Sequence, residues 1–232
     1  MVPLKDFSYD LPSMADRITP QTKLIFINNP LNPTGAFVKK RDFEGFLKDI
    51  PSDVILVLDE AYSEYATDKS FPDSLKYLGS GKRIFILRTF SKVYGLAGLR
   101  IGYGIARSEL VSCLNKIKEP FNTNSLAQAA ALAALDDEEH LRKSLANNRE
   151  GLAYLYSELG KLEIEYLPTQ ANFFLIKIGE NAQSIYEELL KKGVIIRTMT
   201  GYGLQDYLRV SVGLPAENEK FIKALREVIA CK

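Results

Sequence analysis

The sequence predicts an α/β fold: a mostly parallel sheet flanked by helices in its first part, followed by a small α+β domain. Two observations carry this expectation. Short apolar runs alternate with helical patterns through the first half, and the alternation gives way to clustered strands after one long amphipathic stretch.

The segments "KLIFINNP" (23–30), "DVILVLDEAY" (53–62) and "RIFILRTFSK" (83–92) are rich in β-branched residues, too short for helices and without polar alternation. They predict strands covered on both faces, as in a parallel sheet. Between the first two, "KKRDFEGFLKDI" spaces Phe43, Phe46, Leu47 and Ile50 at helical intervals, which completes a βαβ unit. "NSLAQAAALAAL" (124–135) is apolar almost all round and predicts a buried helix. "DDEEHLRKSLANNREGLAYLYSELGKL" has an acidic first turn, as the helix macrodipole favours, and meets Gly160 near its end. The domain boundary is placed at its start, with residues 1–136 as a partial large domain and 137–232 as a linking helix and a small C-terminal domain. There the strands "EIEYLP", "ANFFLIKI", "VIIRTM" and "YLRVSVG" accompany the helices "AQSIYEELLKKG" and "AENEKFIKALREVIA".

Composition limits the function. With 232 residues, 46% hydrophobic and 25% charged, the chain reads as an ordinary soluble protein. A formal charge of +1 provides no basic field for nucleic acid or an anionic membrane, so neither is an expected partner. Cys113 and Cys231 lie far apart without metal-ligand spacing, and no secretory segment opens the chain, which points to a reducing cytoplasm. No apolar run reaches the ~18 residues of a membrane span. His140, the only histidine, sits in an acidic helix start and is expected to be solvated, which argues against a Ser-His-Asp triad or a metal site. "GYGIAR" and "GYGLQ" lack the full dinucleotide-binding glycine pattern.

Ligands of open α/β sheets collect at the carboxyl ends of strands. Those ends read "NNPLNPTG", "DEAY" and "TFSK". Singly, each has a plain structural explanation: turn chemistry, a helix cap at Asp59, a solvated Lys92. Together they deliver an amide, a carboxylate, a phenol and an amine to one sheet edge. A lysine that loses its proton attacks a carbonyl to form a Schiff base. Asp59 opposite a pyridine nitrogen would keep that nitrogen protonated, and Tyr62 and Asn32 suit a ring hydroxyl. Thr89, Ser91 and Arg100 supply hydroxyls and a planar guanidinium that fit a phosphate. The implied cofactor is pyridoxal 5′-phosphate.

In the motifs "NNPLNPTG", "DEAYSEY", "RTFSKVYGLAGLRIGY", "LPTQANFFLI", "GVIIRTM" and "YLRVSVG" the sequence resembles the fold-type I, pyridoxal-phosphate-dependent aminotransferases, and among them the histidinol-phosphate aminotransferase family. The resemblance runs in family order across nearly the whole chain. Ser91 directly before Lys92, with Arg100 eight residues later, is its most specific part. It implies that Lys92 is the Schiff-base lysine, Asp59 the partner of the pyridine nitrogen, and Asn32 and Tyr62 contacts of the ring hydroxyl. Ser91, Arg100 and Thr89 hold the phosphate. It also implies that Arg209 binds a substrate carboxylate, that Arg197 reads a substrate phosphate, and that Asn172 lies near the substrate. The implied reaction is ping-pong transamination in histidine biosynthesis, from histidinol phosphate and 2-oxoglutarate to imidazole-acetol phosphate and glutamate, by a cytoplasmic homodimer. Sister activities of the same fold, an aromatic aminotransferase or a threonine-phosphate decarboxylase, are the alternatives.

The chain departs from the family at its front. Roughly the first third of the usual chain, including a phosphate loop, a ring-stacking aromatic and a tyrosine that reaches a neighbouring subunit, matches nothing here. Apolar sheet surface is therefore expected to be exposed, and a catalytically incomplete chain that acts as a binding remnant is the competing reading.

Overall fold

Asn28, Asp59 and Leu87 stand side by side in one parallel register, and this alignment organises the first half of the molecule. The computed structural model describes residues 2–230. The chain opens with a short hairpin, β1 (Leu4–Lys5) and β2 (Ser8–Tyr9), followed by α1 (Leu11–Asp16). Asp10 caps α1 by accepting the Ser13 N–H at 3.1 Å. The βαβ unit follows as β3 (Leu24–Asn28), α2 (Lys40–Asp49) and β4 (Ile55–Asp59). Next come β5 (Arg83–Thr89), β6 (Gly102–Ala106), α3 (Ser108–Ile117), α4 (Ser125–Leu135) and α5 (Glu138–Lys161). The sheet order is β3-β4-β5-β6; the first two pairings are parallel and β6 joins antiparallel.

Period-two alternation divides the sheet residues between two faces. Ile25, Ile27, Leu56, Leu58, Ile84 and Ile86 face one way and form a core with Leu11 of α1 and Phe43, Phe46 and Leu47 of α2. Coverage of both faces holds for the middle of β4, where Leu56, Val57 and Leu58 are all buried, but not for β3. There Leu24 and Phe26 are 51% and 58% exposed, so β3, an edge strand by its place in the sheet, has one bare apolar face. The expected buried helix also differs. α4 forms, but it buries only Ala127 and Ala131 and leaves Leu126 77% exposed, because nothing among the described residues covers its leucine-bearing side.

Backbone contacts divide the chain into two units, residues 1–32 with 36–141, and residues 33–35 with 142–232. The second unit contains most of α5, then β7 (Tyr166–Leu167), β8 (Phe173–Lys177), α6 (Ala182–Lys191), β9 (Arg197–Thr198), β10 (Tyr207–Ser211) and α7 (Pro215–Ala230). Its sheet is antiparallel throughout, in the order β7-β8-β10-β9. Phe174, Ile176, Leu208 and Val210 face a core completed by Leu155 and Leu159 of α5, Leu189 of α6 and Leu225 of α7. Among the described residues no helix is long and apolar enough to cross a membrane. Cys113 is an exposed free thiol, and Cys231 lies outside the described residues.

Gly35, the glycine of "NPTG", has φ +78°, and a Cβ there would collide with the Thr169 hydroxyl. Its carbonyl accepts from Gln170 N at 3.0 Å and from Thr169 Oγ1 at 3.3 Å. Gly35→Ala is expected to cost at least about 2 kcal/mol from left-handed backbone strain and overpacking together. The midpoint of urea unfolding measures it.

Candidate active site

The site is built on strand ends of the first unit. The parallel register brings Asn28, Asp59 and Leu87 to one level, and Asp59 continues the face of Ile55 and Val57, away from α1 and α2. Asp59 is half-buried, and its Oδ1 accepts the Ala61 N–H at 3.0 Å, which fixes the carboxylate. Asn32 stands in the turn after β3, which closes through Leu31 N to Ala36 O at 2.7 Å and Val38 N to Asn29 Oδ1 at 2.8 Å. Tyr62 is buried three residues after Asp59, and the Lys92 amine lies 5.1 Å from the centre of its ring.

The turn that carries Lys92 is held by its neighbours. Phe90 and Val93 are buried, and Phe90 packs on Tyr94 and Tyr103 with ring centres 5.1 and 5.4 Å apart, so the exposed Lys92 sits between two anchored positions. Ser91 N donates to Thr89 Oγ1 at 3.0 Å, Gly95 N to Lys92 O at 2.9 Å, and Leu96 N to Phe90 O at 2.9 Å. Arg100 has a left-handed backbone, φ +53°, and its Nη1 reaches Ser91 Oγ at 3.5 Å and Ala97 O at 2.7 Å. A serine hydroxyl and a guanidinium thus converge on one edge of the turn, an arrangement that suits an oxyanion.

The structure brings Asp59, Tyr62, Thr89, Ser91, Lys92 and Arg100 to the ends of β4 and β5, with Asn32 after neighbouring β3. The other three residues lie in the second unit. Arg209 and Arg197 are direct partners across the antiparallel pair β10–β9. Arg209 lies 4.7 Å from the Phe173 ring centre and Arg197 5.8 Å from that of Tyr202. Asn172 precedes β8, and its carbonyl accepts the Val212 N–H at 2.9 Å.

Several supporting residues escaped sequence reasoning. Glu60, beside Asp59, falls on the opposite face and continues the row of Leu56 and Leu58. Arg88 extends the row of Ile84 and Ile86 toward it. The two meet in a part-buried ion pair in which Glu60 is the buried member, with Arg88 Nε and Nη2 at 3.1 and 2.9 Å from Glu60 Oε2. Burial raises the Glu60 carboxyl above the ordinary range, and its hydrogen-bonding partners only partly oppose this. Strand alternation alone would have paired these positions, since one strand end cannot present Asp59 and Glu60 to the same side. Tyr9 is a second supporter: its hydroxyl accepts the Asn28 N–H at 3.0 Å and lies 3.3 Å from Asn28 Oδ1. Burial, with the Asp59 charge in addition, holds its phenol above the usual value. His140, expected to be solvated, has an exposed ring whose Nε2 lies 3.1 Å from the Val93 carbonyl.

The family model described as aminotransferase class I and II matches residues 1–225. A histidinol-phosphate aminotransferase of Moorella thermoacetica is 50% identical over 230 residues, which is 99% of this chain and 60% of that protein. One from Akkermansia muciniphila is 44% identical over 225 residues, 97% of this chain and 61% of that protein. Among solved structures, histidinol-phosphate aminotransferase from Sinorhizobium meliloti in complex with pyridoxal-5′-phosphate superposes with a TM-score of 0.91 at 30% identity, covering 100% of this chain and 64% of that one. The chain thus spans about 60% of the length of the curated relatives it matches.

Breaking this ion pair is expected to be costly. Arg88→Met alone loses about 2–4 kcal/mol, with Glu60 left uncompensated, and adding Glu60→Leu restores most of it; chemical denaturation of the singles and the double tests this. Burial also raises the Glu64 carboxyl above its ordinary 4.5. Its contribution to stability is therefore fully present at low pH and lost as pH rises through the folded-state value. The melting temperature of Glu64→Gln should coincide with that of the wild type below the ordinary carboxyl range and exceed it progressively toward neutrality.

Proposed function

The chain belongs to the aminotransferase class I and II family, and we propose that its residues serve a transamination that uses pyridoxal 5′-phosphate, with histidinol phosphate and 2-oxoglutarate as substrates and imidazole-acetol phosphate and glutamate as products. The observation that carries this reading is the strand-end constellation. An amine 5.1 Å from a buried phenol ring is followed on the same turn by a hydroxyl and a guanidinium 3.5 Å apart. This donor set fits the cofactor, because it offers a covalent anchor, an anion cradle and, at Asp59, a carboxylate fixed at the end of the neighbouring strand.

When bound, the cofactor supplies an electron sink for negative charge that develops at the substrate α-carbon. Lys92 would hold it covalently through its amine, and that amine would carry the proton to and from the substrate α-carbon. Asp59 holds a proton on the pyridine nitrogen, and Asn32 and Tyr62 donate to the ring hydroxyl oxygen. Ser91 and Arg100 bind the phosphate group, and Thr89 serves them by bonding the Ser91 amide.

Arg209 and Arg197 answer to the substrates. Glutamate brings a carboxylate next to its reacting carbon, whereas histidinol phosphate brings a phosphate and no carboxylate. A pair of guanidiniums in direct register supports both demands, with Arg209 forking onto the carboxylate and Arg197 taking the phosphate. Asn172 borders the substrate beside β8. The resemblance to relatives named as histidinol-phosphate aminotransferases supports the substrate choice.

The purified chain with added pyridoxal phosphate is expected to develop a visible absorbance band that borohydride removes, and Lys92→Ala is expected to abolish the band. In a full-length protein that carries these residues, Lys92→Ala should lower kcat by at least ~10²–10⁴. Arg209→Ala should lower kcat/KM for glutamate by about ten- to hundredfold, the worth of a charged hydrogen-bond pair. Side-by-side turnover of histidinol phosphate, phenylalanine and threonine phosphate tests the substrate, and preference for either of the last two would overturn it.

A further inference from the structure

We propose that His140 is a positioning residue for the Lys92 turn. Its imidazole clamps the backbone one residue beyond the lysine, and so holds the amine where the cofactor must meet it. The inference rests on the cofactor reading above for its purpose, though not for its geometry.

The observations come from both sides of the contact. His140 lies in the first turn of α5, and its own N–H donates to Asp137 Oδ1 at 2.9 Å, so the capped helix start fixes the residue's backbone. Its Nε2 lies 3.1 Å from Val93 O. A carbonyl only accepts, so Nε2 carries a proton and donates. The same ring sits over Gly95, where a Cβ would come within 3.7 Å of Nε2. Gly95 has φ +70°, and its N–H closes the turn onto Lys92 O.

This contact complements the others in the turn. Residue 89 receives the amide of residue 91, the carbonyls of 90 and 92 receive those of 96 and 95, and His140 takes the carbonyl of residue 93. Lys92 therefore projects from a short loop whose backbone is tied on both sides. A long flexible side chain on an untied loop would spread its amine over many positions and lose effective concentration at the reacting carbonyl.

The test begins with hydrogen exchange of the cofactor-free chain. His140→Ala removes the ring while keeping the Asp137 cap, and it should speed exchange at the Gly95 and Leu96 amides about three- to tenfold, the worth of one hydrogen bond. Pyridoxal phosphate, titrated through the borohydride-sensitive band, should bind about three- to tenfold more weakly. His140→Gln retains an N–H donor of similar reach and should return both quantities to within about twofold of wild type. Unchanged exchange at both amides, unchanged cofactor affinity despite faster exchange, or a Gln variant no better than Ala would each overturn the proposal. A wild-type chain that forms no band at all would defeat the cofactor reading instead, and exchange alone would then decide whether the clamp exists.

Discussion

The parallel register of β3, β4 and β5 is the constraint on which the candidate site depends. Pairing Asn28 with Asp59 and Asp59 with Leu87 makes three strands stop at one level, so the loops that follow start from one edge. Residues separated by dozens of positions become neighbours without any long side chain reaching for another. The hydrophobic rows Ile25–Ile27, Leu56–Leu58 and Ile84–Ile86 enforce that register, because a slip by one residue would turn each row away from α1 and α2. Burial of the core and placement of Asp59 are thus one event.

The same alternation separates chemistry from support. Asp59 and Glu60 are adjacent in sequence but fall on opposite faces, one fixed by the Ala61 amide and the other paired with Arg88. The pair lies where the apolar rows end, at the level where the sheet must stop being oily and start holding polar loops. A hydrophobic pair of similar volume would hold most of the same stability. An ion pair with defined hydrogen bonds, however, is made only when β4 and β5 bring Glu60 and Arg88 together, so it favours their observed alignment. Tyr9 does a related job at β3, bonding the Asn28 backbone at the free side of the sheet.

Much of this was legible in sequence, for a physical reason. Parallel strands covered by helices leave long apolar runs, and the first polar residues after them mark the functional edge, so Asn32, Asp59, Tyr62 and Lys92 stood out together. What could not be read depends on the third dimension. β3 looks like a central strand by composition, yet Leu24 and Phe26 are bare because nothing among the described residues covers that face of it. α4 has the composition of a buried helix, yet most of its surface is exposed. Both carry more apolar surface than the described chain covers, in a chain that spans about 60% of its curated relatives. His140 is exposed, in keeping with its sequence context, but its contact with Val93 lies across 47 residues and has no local signal.

The second unit solves a different electrostatic problem. Two arginines directly opposed on β9 and β10 repel each other, and like charges at such positions normally weaken a sheet. Aromatic faces temper the repulsion, Phe173 beside Arg209 and Tyr202 beside Arg197, and neither ring neutralises a charge. The antiparallel core beneath supplies the compensation: Leu208 and Val210 flank Arg209 on the opposite face and are buried against α5, α6 and α7. The strand is held by its apolar side while its other side keeps two cations together. An anion that sat upon these guanidiniums would be drawn by both charges.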